Sequence, residues 1–340
     1  MFTPGAFART SLVAALIAGA AVPFFAAPAA AQAAAAAPQA ATPARPQGIV
    51  PTVRAAIAKQ DFAGGEQLIA EYRKEKGVTP EMVEAVSWLG RGALAAKQYD
   101  KATAYANQTY DLAKGLLKSR GLDDEPRLPT AFGAAMEVLA QARAATGGRS
   151  EAVAYLNAEM KTYGKTSITK RLQKNINLLS LEGTAAPQLD LSESLAPQPL
   201  SLDAVKGKVA VLFFWAHWCP DCKNESPILA NLLKKYESQG LTVISPTQRY
   251  GYVAGGKEAS AADERKYIEQ IKTQFYPWMD NRTVALSETN HQRYGVSTTP
   301  TIVVVDRAGK VRSYHPGNYT EAELDALVQP LLNTASPSTR

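Results

Sequence analysis

One stretch, residues 209–236, constrains the fold more than any other part of the chain. The unbroken apolar run 209–215 predicts a strand buried on both faces. After Cys222, apolar residues recur at spacings of three and four, which predicts a helix. Cys219 therefore lies near the start of that helix, where free N–H groups and the helix dipole favour a thiolate. A two-residue gap lets the two sulfurs close a small ring, so the pair is predicted to be a dithiol that cycles.

The composition limits the kinds of protein that the chain can be. Its 340 residues are 46% apolar and 20% charged, as in a globular protein with room for two domains. The net charge of +6 is scattered, so we expect no nucleic-acid partner. Two cysteines exclude a second disulfide and a four-cysteine zinc site. We expect no metal or other cofactor besides the redox-active pair Cys219–Cys222. A structural cystine or a two-ligand metal site is the alternative for this pair.

Residues 1–31 have the features of an export signal. Arg9 precedes an apolar stretch at 11–25, and three alanines at 29–31 offer a cleavage site. We expect cleavage there and export, to a bacterial periplasm. The alternative is an uncleaved membrane anchor, which the weak, alanine-rich hydrophobicity disfavours. In a periplasm two lone cysteines tend to be oxidised unless something reduces them. Residues 32–47, rich in Ala and Pro, predict a disordered tether.

Residues 48–183 are predicted to form an all-α domain. Alanine is abundant, strand-like alternation is missing, and prolines stand where helices are expected to begin. Thr79 followed by Pro80 matches an N-cap with proline at the first helical position. The predicted helices cover residues 50–60, 64–76, 80–97, 99–118, 129–146, 149–163 and 167–181.

Two hairpins of this domain resemble a tetratricopeptide (TPR) repeat. Residues 89–90 (Leu-Gly) and 99–102 (Tyr-Asp-Lys-Ala) resemble the small-residue skeleton of one repeat, and residues 139–140 with Ala152 have a similar offset. The interval between the two hairpins is longer than the repeat's usual period. The resemblance implies a TPR-like array that docks another polypeptide. The alternative is a helical cap that packs on the C-terminal domain and only stabilises it.

From residue 187 onward, short strands alternate with helices. Residues 262–275 predict an amphipathic crossover helix, and Thr320 with Glu323 gives a capping box that opens a last helix to about residue 332. The predicted strands cover residues 189–191, 199–202, 209–215, 241–244, 301–306 and 310–314, the last two forming a hairpin.

Three parts of the segment 187–334 match one family. They are residues 214–222 (Phe-Trp-Ala-His-Trp-Cys-Pro-Asp-Cys), then Glu225 and Pro227, then the segment 294–301 with its Thr-Pro-Thr. Together they resemble the thioredoxin superfamily and, within it, the TlpA-like periplasmic thiol-disulfide oxidoreductases. The resemblance implies an α/β thioredoxin fold, a central mixed sheet of four strands flanked by helices, behind the TPR-like helical domain. It also implies exchange chemistry at the Cys pair.

The residues around the pair have predicted roles. Cys219, expected to be exposed, would attack a substrate disulfide, and Cys222 would resolve the mixed disulfide. The resemblance implies that Pro300 is a cis proline facing the disulfide, so that Thr299 pairs with an extended substrate. An ordinary trans proline is the alternative. Trp218 is expected to be an exposed lip shielding the sulfur, or else a core aromatic residue.

Glu225 is the candidate base. Lying one turn past Cys222, it is predicted to accept a proton from the resolving thiol, or else to be a solvated helix residue. Thioredoxins commonly bury an acidic residue at the position held here by Phe213. Because this chain has phenylalanine there, Glu225 is the nearer candidate base. His217 is expected to be a bystander, the alternative being a charged imidazole that stabilises a thiolate. Asp221 puts negative charge between the cysteines, which disfavours the thiolate and predicts a reductase rather than an oxidant.

Residues 246–256 form a loop longer than a minimal thioredoxin needs. The loop follows a strand ending near Ile244, so in a parallel arrangement it emerges at the same edge as the Cys pair. Tyr250 and Tyr252, on this glycine-hinged loop, would suit a lid that grips a peptide. A plain surface excursion is the alternative.

The sequence therefore predicts an exported thiol-disulfide oxidoreductase, most simply a protein-disulfide reductase. Its expected partners are protein disulfide substrates, a membrane thiol-electron donor and a peptide docked on the helical domain. The alternative function is a partner-binding helical adaptor whose Cys pair is a redox-regulated clasp rather than a catalyst.

Overall fold

The structure is a computed structural model that describes residues 48–196 and 198–334. The predicted export signal (1–31) and tether (32–47) lie outside the described residues. Within the described part, no helix is both long enough and apolar enough to span a membrane.

The first half of the described chain is built from helices, as predicted. Thr79 caps the third helix by accepting a hydrogen bond from the Met82 N–H at 3.2 Å, with Pro80 at the first helical position. All seven predicted helices are present, and their ends shift by at most two residues. They are α1 (Ile49–Ala58), α2 (Phe62–Lys76), α3 (Pro80–Ala95), α4 (Tyr99–Leu116), α5 (Arg127–Ala145), α6 (Arg149–Tyr163) and α7 (Thr169–Ser180).

Small residues allow the helices to approach closely. A Cβ added to Gly90 of α3 would lie 3.6 Å from the Tyr105 Cβ and 3.6 Å from the Ala106 backbone nitrogen of α4. Ala140 of α5 and Ala152 of α6 are both fully buried. Side chains larger than alanine at these positions would push the helix pairs apart, because protein interiors are close-packed.

The second half contains one sheet of four strands in the order β2-β1-β3-β4. Strand β1 pairs with β2 in parallel and with β3 antiparallel, and β3 pairs with β4 antiparallel. This is the mixed sheet flanked by helices that the sequence predicts. The strands are β1 (Val209–Phe214), β2 (Leu241–Ile244), β3 (Thr301–Val305) and β4 (Val311–Pro316), and the helices are α8 (Pro220–Tyr236), α9 (Ala261–Phe275), α10 (Glu288–Arg293) and α11 (Glu321–Leu332).

Both faces of β1 are buried, which explains its unbroken apolar sequence. Val209, Val211 and Phe213 pack with apolar side chains of α8, α9 and α11. Ala210 and Phe214 face the opposite side, in a core that also contains residues of β3 and β4. A strand covered on both faces has no side that tolerates polar residues.

The two strands predicted at 189–191 and 199–202 are wrong, since both segments are irregular in the structure. Their backbone N–H groups bind side chains instead of a strand ladder. The Asp190 N–H donates to Asn290 Oδ1 at 2.7 Å, and the Leu200 N–H donates to Thr283 Oγ1 at 2.7 Å. These acceptors satisfy the backbone without a neighbouring strand, a solution that short apolar stretches do not reveal in sequence.

Helix α7 packs directly on the second half of the described chain. Gly295, with φ +62°, lies so close to α7 that an added Cβ would overlap the backbone of Gln173 and Lys174. The Lys170 ammonium reaches across to Gln248 Oε1 at 3.1 Å and to Glu288 Oε1 at 3.1 Å. The last helix of the first half therefore touches the segment that leads into Thr299 and Pro300.

Candidate active site at the start of helix α8

The site lies where β1 ends and α8 begins. The chain turns at residues 216–219, called here the active-site turn, which the Cys219 N–H closes by donating to the Ala216 carbonyl oxygen at 3.1 Å. Cys219 is the N-cap of α8, and its sulfur accepts from the Cys222 N–H at 3.0 Å. The two sulfurs form a disulfide, with a Cα–Cα distance of 5.3 Å that suits such a bond.

Cys219 is less accessible than predicted. The sequence predicts an exposed Cys219 sulfur, but in the oxidised structure Cys219 is 1% exposed and Cys222 is fully buried. The reason is a tertiary contact, because the segment before β3 covers the pair. The Thr299 carbonyl oxygen lies 3.5 Å from Cys219 Sγ, and the Thr299–Pro300 peptide bond is cis. Pro300 is itself buried and Thr299 is half-buried.

Trp218 is the exposed aromatic residue of the site. Its side chain is 45% exposed, although its chain neighbours His217 and Cys219 are both buried. The Tyr250 ring meets the Trp218 ring edge-to-face at a centroid distance of 5.4 Å. The alternative of a core aromatic residue is therefore wrong, and an apolar surface lies beside the disulfide.

Glu225 is fully buried, so the alternative of a solvated helix residue is wrong. Burial raises the pKa of Glu225 from 4.5 to about 7, although a hydrogen bond from the Tyr319 N–H opposes this shift. That N–H lies 3.3 Å from Oε1, and Oε2 has no hydrogen-bond partner among the described residues. A carboxyl group with such a pKa can exchange a proton near neutral pH, which is what a base for the resolving thiol needs. Its role stays a prediction.

His217 has a buried acidic partner that the sequence did not reveal. Its Nε2 lies 3.2 Å from Glu264 Oε1, and both side chains are 1% exposed. Desolvation lowers the pKa of His217, although Glu264 opposes the shift. The rings of Tyr250, Tyr252 and Tyr267 surround the imidazole edge-to-face at 5.3–5.5 Å. Glu264 looks like an ordinary polar helix residue in sequence, and only the fold brings it to the site.

The loop that carries the two predicted tyrosines lies at the same edge as the disulfide. We call residues 246–259 the tyrosine loop. It is tied at its start, where the Trp215 N–H donates to the Pro246 carbonyl oxygen at 3.2 Å, and it folds back on itself through a bridge between Tyr252 and Glu258. Tyr250 and Tyr252 are half-buried, and both rings contact His217. That either residue grips a peptide stays a prediction.

Among residues 48–196 and 198–334, no group of three or more His, Cys, Asp or Glu side chains is arranged to hold a metal ion. The groups that the described site brings together are two sulfurs, the buried carboxyl groups of Glu225 and Glu264, and the buried imidazole of His217.

The fold and the site define a class. A four-stranded mixed sheet carries two cysteines at the N-terminus of the helix that follows its central strand, facing a proline segment before the next strand. This is a thioredoxin-like oxidoreductase.

Comparison with known proteins gives the relatives. Residues 183–314 match the model of the AhpC/TSA family. The thioredoxin-like protein YneN of Bacillus subtilis is 28% identical over 144 residues, 42% of this chain and 76% of YneN. The thiol-disulfide oxidoreductase ResA of the same bacterium is 28% identical over 156 residues, 46% of this chain and 76% of ResA. A solved thiol:disulfide interchange protein DsbE from Chlorobium tepidum is 26% identical with a TM-score of 0.34, covering 45% of this chain and 98% of that one.

Proposed function

We propose that the chain is an exported protein-disulfide reductase that uses Cys219 and Cys222. One observation carries the proposal: the disulfide sits at the N-terminus of α8, with the Thr299 carbonyl oxygen 3.5 Å from Cys219 Sγ and exposed Trp218 beside it. The relatives named thiol-disulfide oxidoreductases support it. Export rests on the signal-like residues 1–31.

The reaction begins from the dithiol form. The Cys219 thiolate attacks one sulfur of a substrate disulfide, the substrate S–S bond breaks, and the released substrate thiolate takes up a proton. Cys222 then attacks Cys219 Sγ, which breaks the mixed disulfide and frees the second substrate thiolate. The substrate gains two electrons, and the enzyme is left with the Cys219–Cys222 disulfide. A membrane dithiol donor would restore the reduced form by the same exchange.

Glu225 would act in the second step. Cys222 must lose a proton before it attacks, because the thiolate is the nucleophile. Glu225 follows one helical turn later, is fully buried, and has a pKa raised to about 7 by burial. A carboxylate with that pKa takes the proton more readily than an ordinary glutamate does.

The Thr299–Pro300 segment would hold the substrate. Its carbonyl oxygen already lies beside the attacking sulfur, so an extended peptide paired with Thr299 would bring its own disulfide to Cys219. Because this segment also shields Cys219, the reduced site has to admit substrate along the face where Trp218 is exposed.

The direction of electron flow rests on Asp221. Its exposed carboxylate lies between the cysteines in sequence and disfavours the thiolate, which destabilises the dithiol relative to the disulfide. Titration against glutathione would test this inference. We expect a reducing potential, and a value above about −150 mV would overturn the direction.

Two variants test the exchange chemistry on insulin, a protein disulfide substrate. The full chain with Cys219→Ser should lose reduction entirely, because no attacking sulfur remains. The matched variant Cys222→Ala should make one attack and stop as a mixed disulfide with the substrate. Mass spectrometry identifies this covalent complex and the substrate chain that it contains. Equal activity of wild type and Cys219→Ser would refute the proposal.

Alkylation gives an independent check. After mild reduction, iodoacetamide should label Cys219 before Cys222, since Cys222 lies one turn inside α8. Failure of both sulfurs to react in the folded protein would contradict a reductase. It would leave the alternative of a helical adaptor whose Cys pair is a redox-regulated clasp.

A further inference from the structure

A buried carboxylate joins the tyrosine loop to α9 and to the active-site turn. Glu264 lies near the N-terminus of α9 and is 1% exposed. The Tyr250 N–H donates to its Oε1 at 2.5 Å, and the Gly251 N–H donates to its Oε2 at 2.9 Å. His217 Nε2 lies 3.2 Å from Oε1 and completes the set. A buried carboxylate requires such donors, so the loop, the turn and α9 are held as one unit.

His217 and Trp218 form the middle of the active-site turn and have opposite environments. His217 is 1% exposed, whereas Trp218 is 45% exposed. The Tyr250 ring contacts both of them, at centroid distances of 5.5 Å to His217 and 5.4 Å to Trp218. Glu264 therefore binds the backbone of the same residue whose ring contacts Trp218.

We propose that His217 and Glu264 are positioning residues that hold Tyr250 against Trp218, and that the two rings form a platform for a large apolar side chain next to the substrate cysteine. This inference rests on the proposed function, because it names a substrate preference of the same site. The preferred substrate is a polypeptide whose disulfide cysteine is followed or preceded by a residue such as leucine.

The platform is suited to that side chain for a physical reason. An exposed indole packed on a phenol ring offers rigid apolar area beside Cys219, and covering it removes apolar surface of both partners from water. A partly covered leucine should lower KM about tenfold relative to serine, which corresponds to ~1.4 kcal/mol. If the Tyr250 ring were no longer held against Trp218, most of this tenfold difference in KM would be lost.

The experiment uses the full chain and two disulfide-bridged peptides that differ only in Leu or Ser beside one cysteine. For wild type we expect a KM about tenfold lower for the Leu peptide. His217→Leu removes the donor to Glu264 and should reduce the KM ratio to below about threefold. His217→Gln, whose amide N–H can replace Nε2, should restore the ratio. Tyr250→Ala removes the ring itself and should abolish the preference even if His217→Leu does not fold.

Arg249→Ala is the matched control. Arg249 anchors the same loop through different partners: its Nη1 donates to Glu193 Oε2 at 2.8 Å, and its Nε donates to the Ala261 carbonyl oxygen at 3.0 Å. This variant should keep the preference. Loss of the preference in Arg249→Ala to the same degree as in His217→Leu would show that loop order in general matters, and would overturn the specific role of His217.

The outcomes separate the two proposals. If wild type reduces neither peptide, the proposed function fails. If wild type reduces both with equal KM, or if Tyr250→Ala keeps the tenfold preference, the platform is refuted while the reductase stands. A fall in kcat at an unchanged KM ratio in His217→Leu would likewise refute positioning and indicate a role in the chemistry.

Discussion

The replacement Glu225→Gln tests the physical basis of the candidate base. Burial raises the pKa of Glu225 from 4.5 to about 7 in the folded protein, whereas the unfolded chain has the ordinary value. Between those two values the folded state binds a proton that the unfolded state has lost, so stability falls as the pH rises. One pKa unit is worth about 1.4 kcal/mol, so the loss by pH 8 is about 3 kcal/mol.

Glutamine keeps an oxygen that can accept from the Tyr319 N–H but cannot ionise, so Glu225→Gln should lack this pH dependence. The assay is urea unfolding of both oxidised proteins from pH 4.5 to 8. Other titrating groups, including His217, are common to the two proteins and cancel in the difference. We expect the stability of wild type relative to Glu225→Gln to fall by about 3 kcal/mol across this range. Parallel pH profiles would show that Glu225 does not titrate near neutrality, and would refute it as the base.

Two further predictions concern the helical half and its contact with the site. Gly295→Ala should destabilise by about 2–4 kcal/mol, because the new Cβ overlaps the Lys174 backbone and φ is +62°. Gly183→Ala, with φ +83° and open space around it, should cost only about 1 kcal/mol in the same thermal unfolding assay, and equal losses would contradict the packing argument. Burial alone would raise the pKa of Glu137, but the ion pairs with Arg171 and Lys174 lower it to about 2. The replacement Glu137→Gln should therefore reduce the free energy of unfolding by about 3 kcal/mol at pH 7. The stabilisation by the carboxylate is lost as the pH falls from about 4.5 towards 2, so a difference that stays constant at acid pH would argue against the ion pairs.

Contacts between the helical half and the second half make it difficult to test either half alone. The sequence left open whether this half docks a partner or caps the other domain. Gly295 packs against α7, and the Tyr314 N–H donates to Glu182 Oε1 at 3.2 Å. Both contacts belong to the capping arrangement, and a docking surface elsewhere on the helices stays a prediction. Truncation at the domain boundary would remove the α7 contacts, so full-length variants are the better probes.

Local features of the site could be predicted from sequence because they depend on residues near one another in the chain. The apolar run of β1, the proline after Cys219 and the helical spacing after Cys222 define the strand, the turn and the helix. The seven helices of the first half follow from the same short-range signals. The family resemblance carried Glu225 and Pro300 beyond what periodicity alone can give.

Tertiary packing decided what the sequence could not. Glu264 lies 47 positions from His217, and Tyr319 lies 94 positions from Glu225, so neither pairing leaves a periodic trace in the sequence. The burial of Cys219 depends on the distant segment at Thr299. The chain by itself determined where the sulfurs sit on a strand-to-helix turn. The folded environment determined their access to solvent and the pKa of the buried carboxyl group, because both depend on which distant atoms replace water around them.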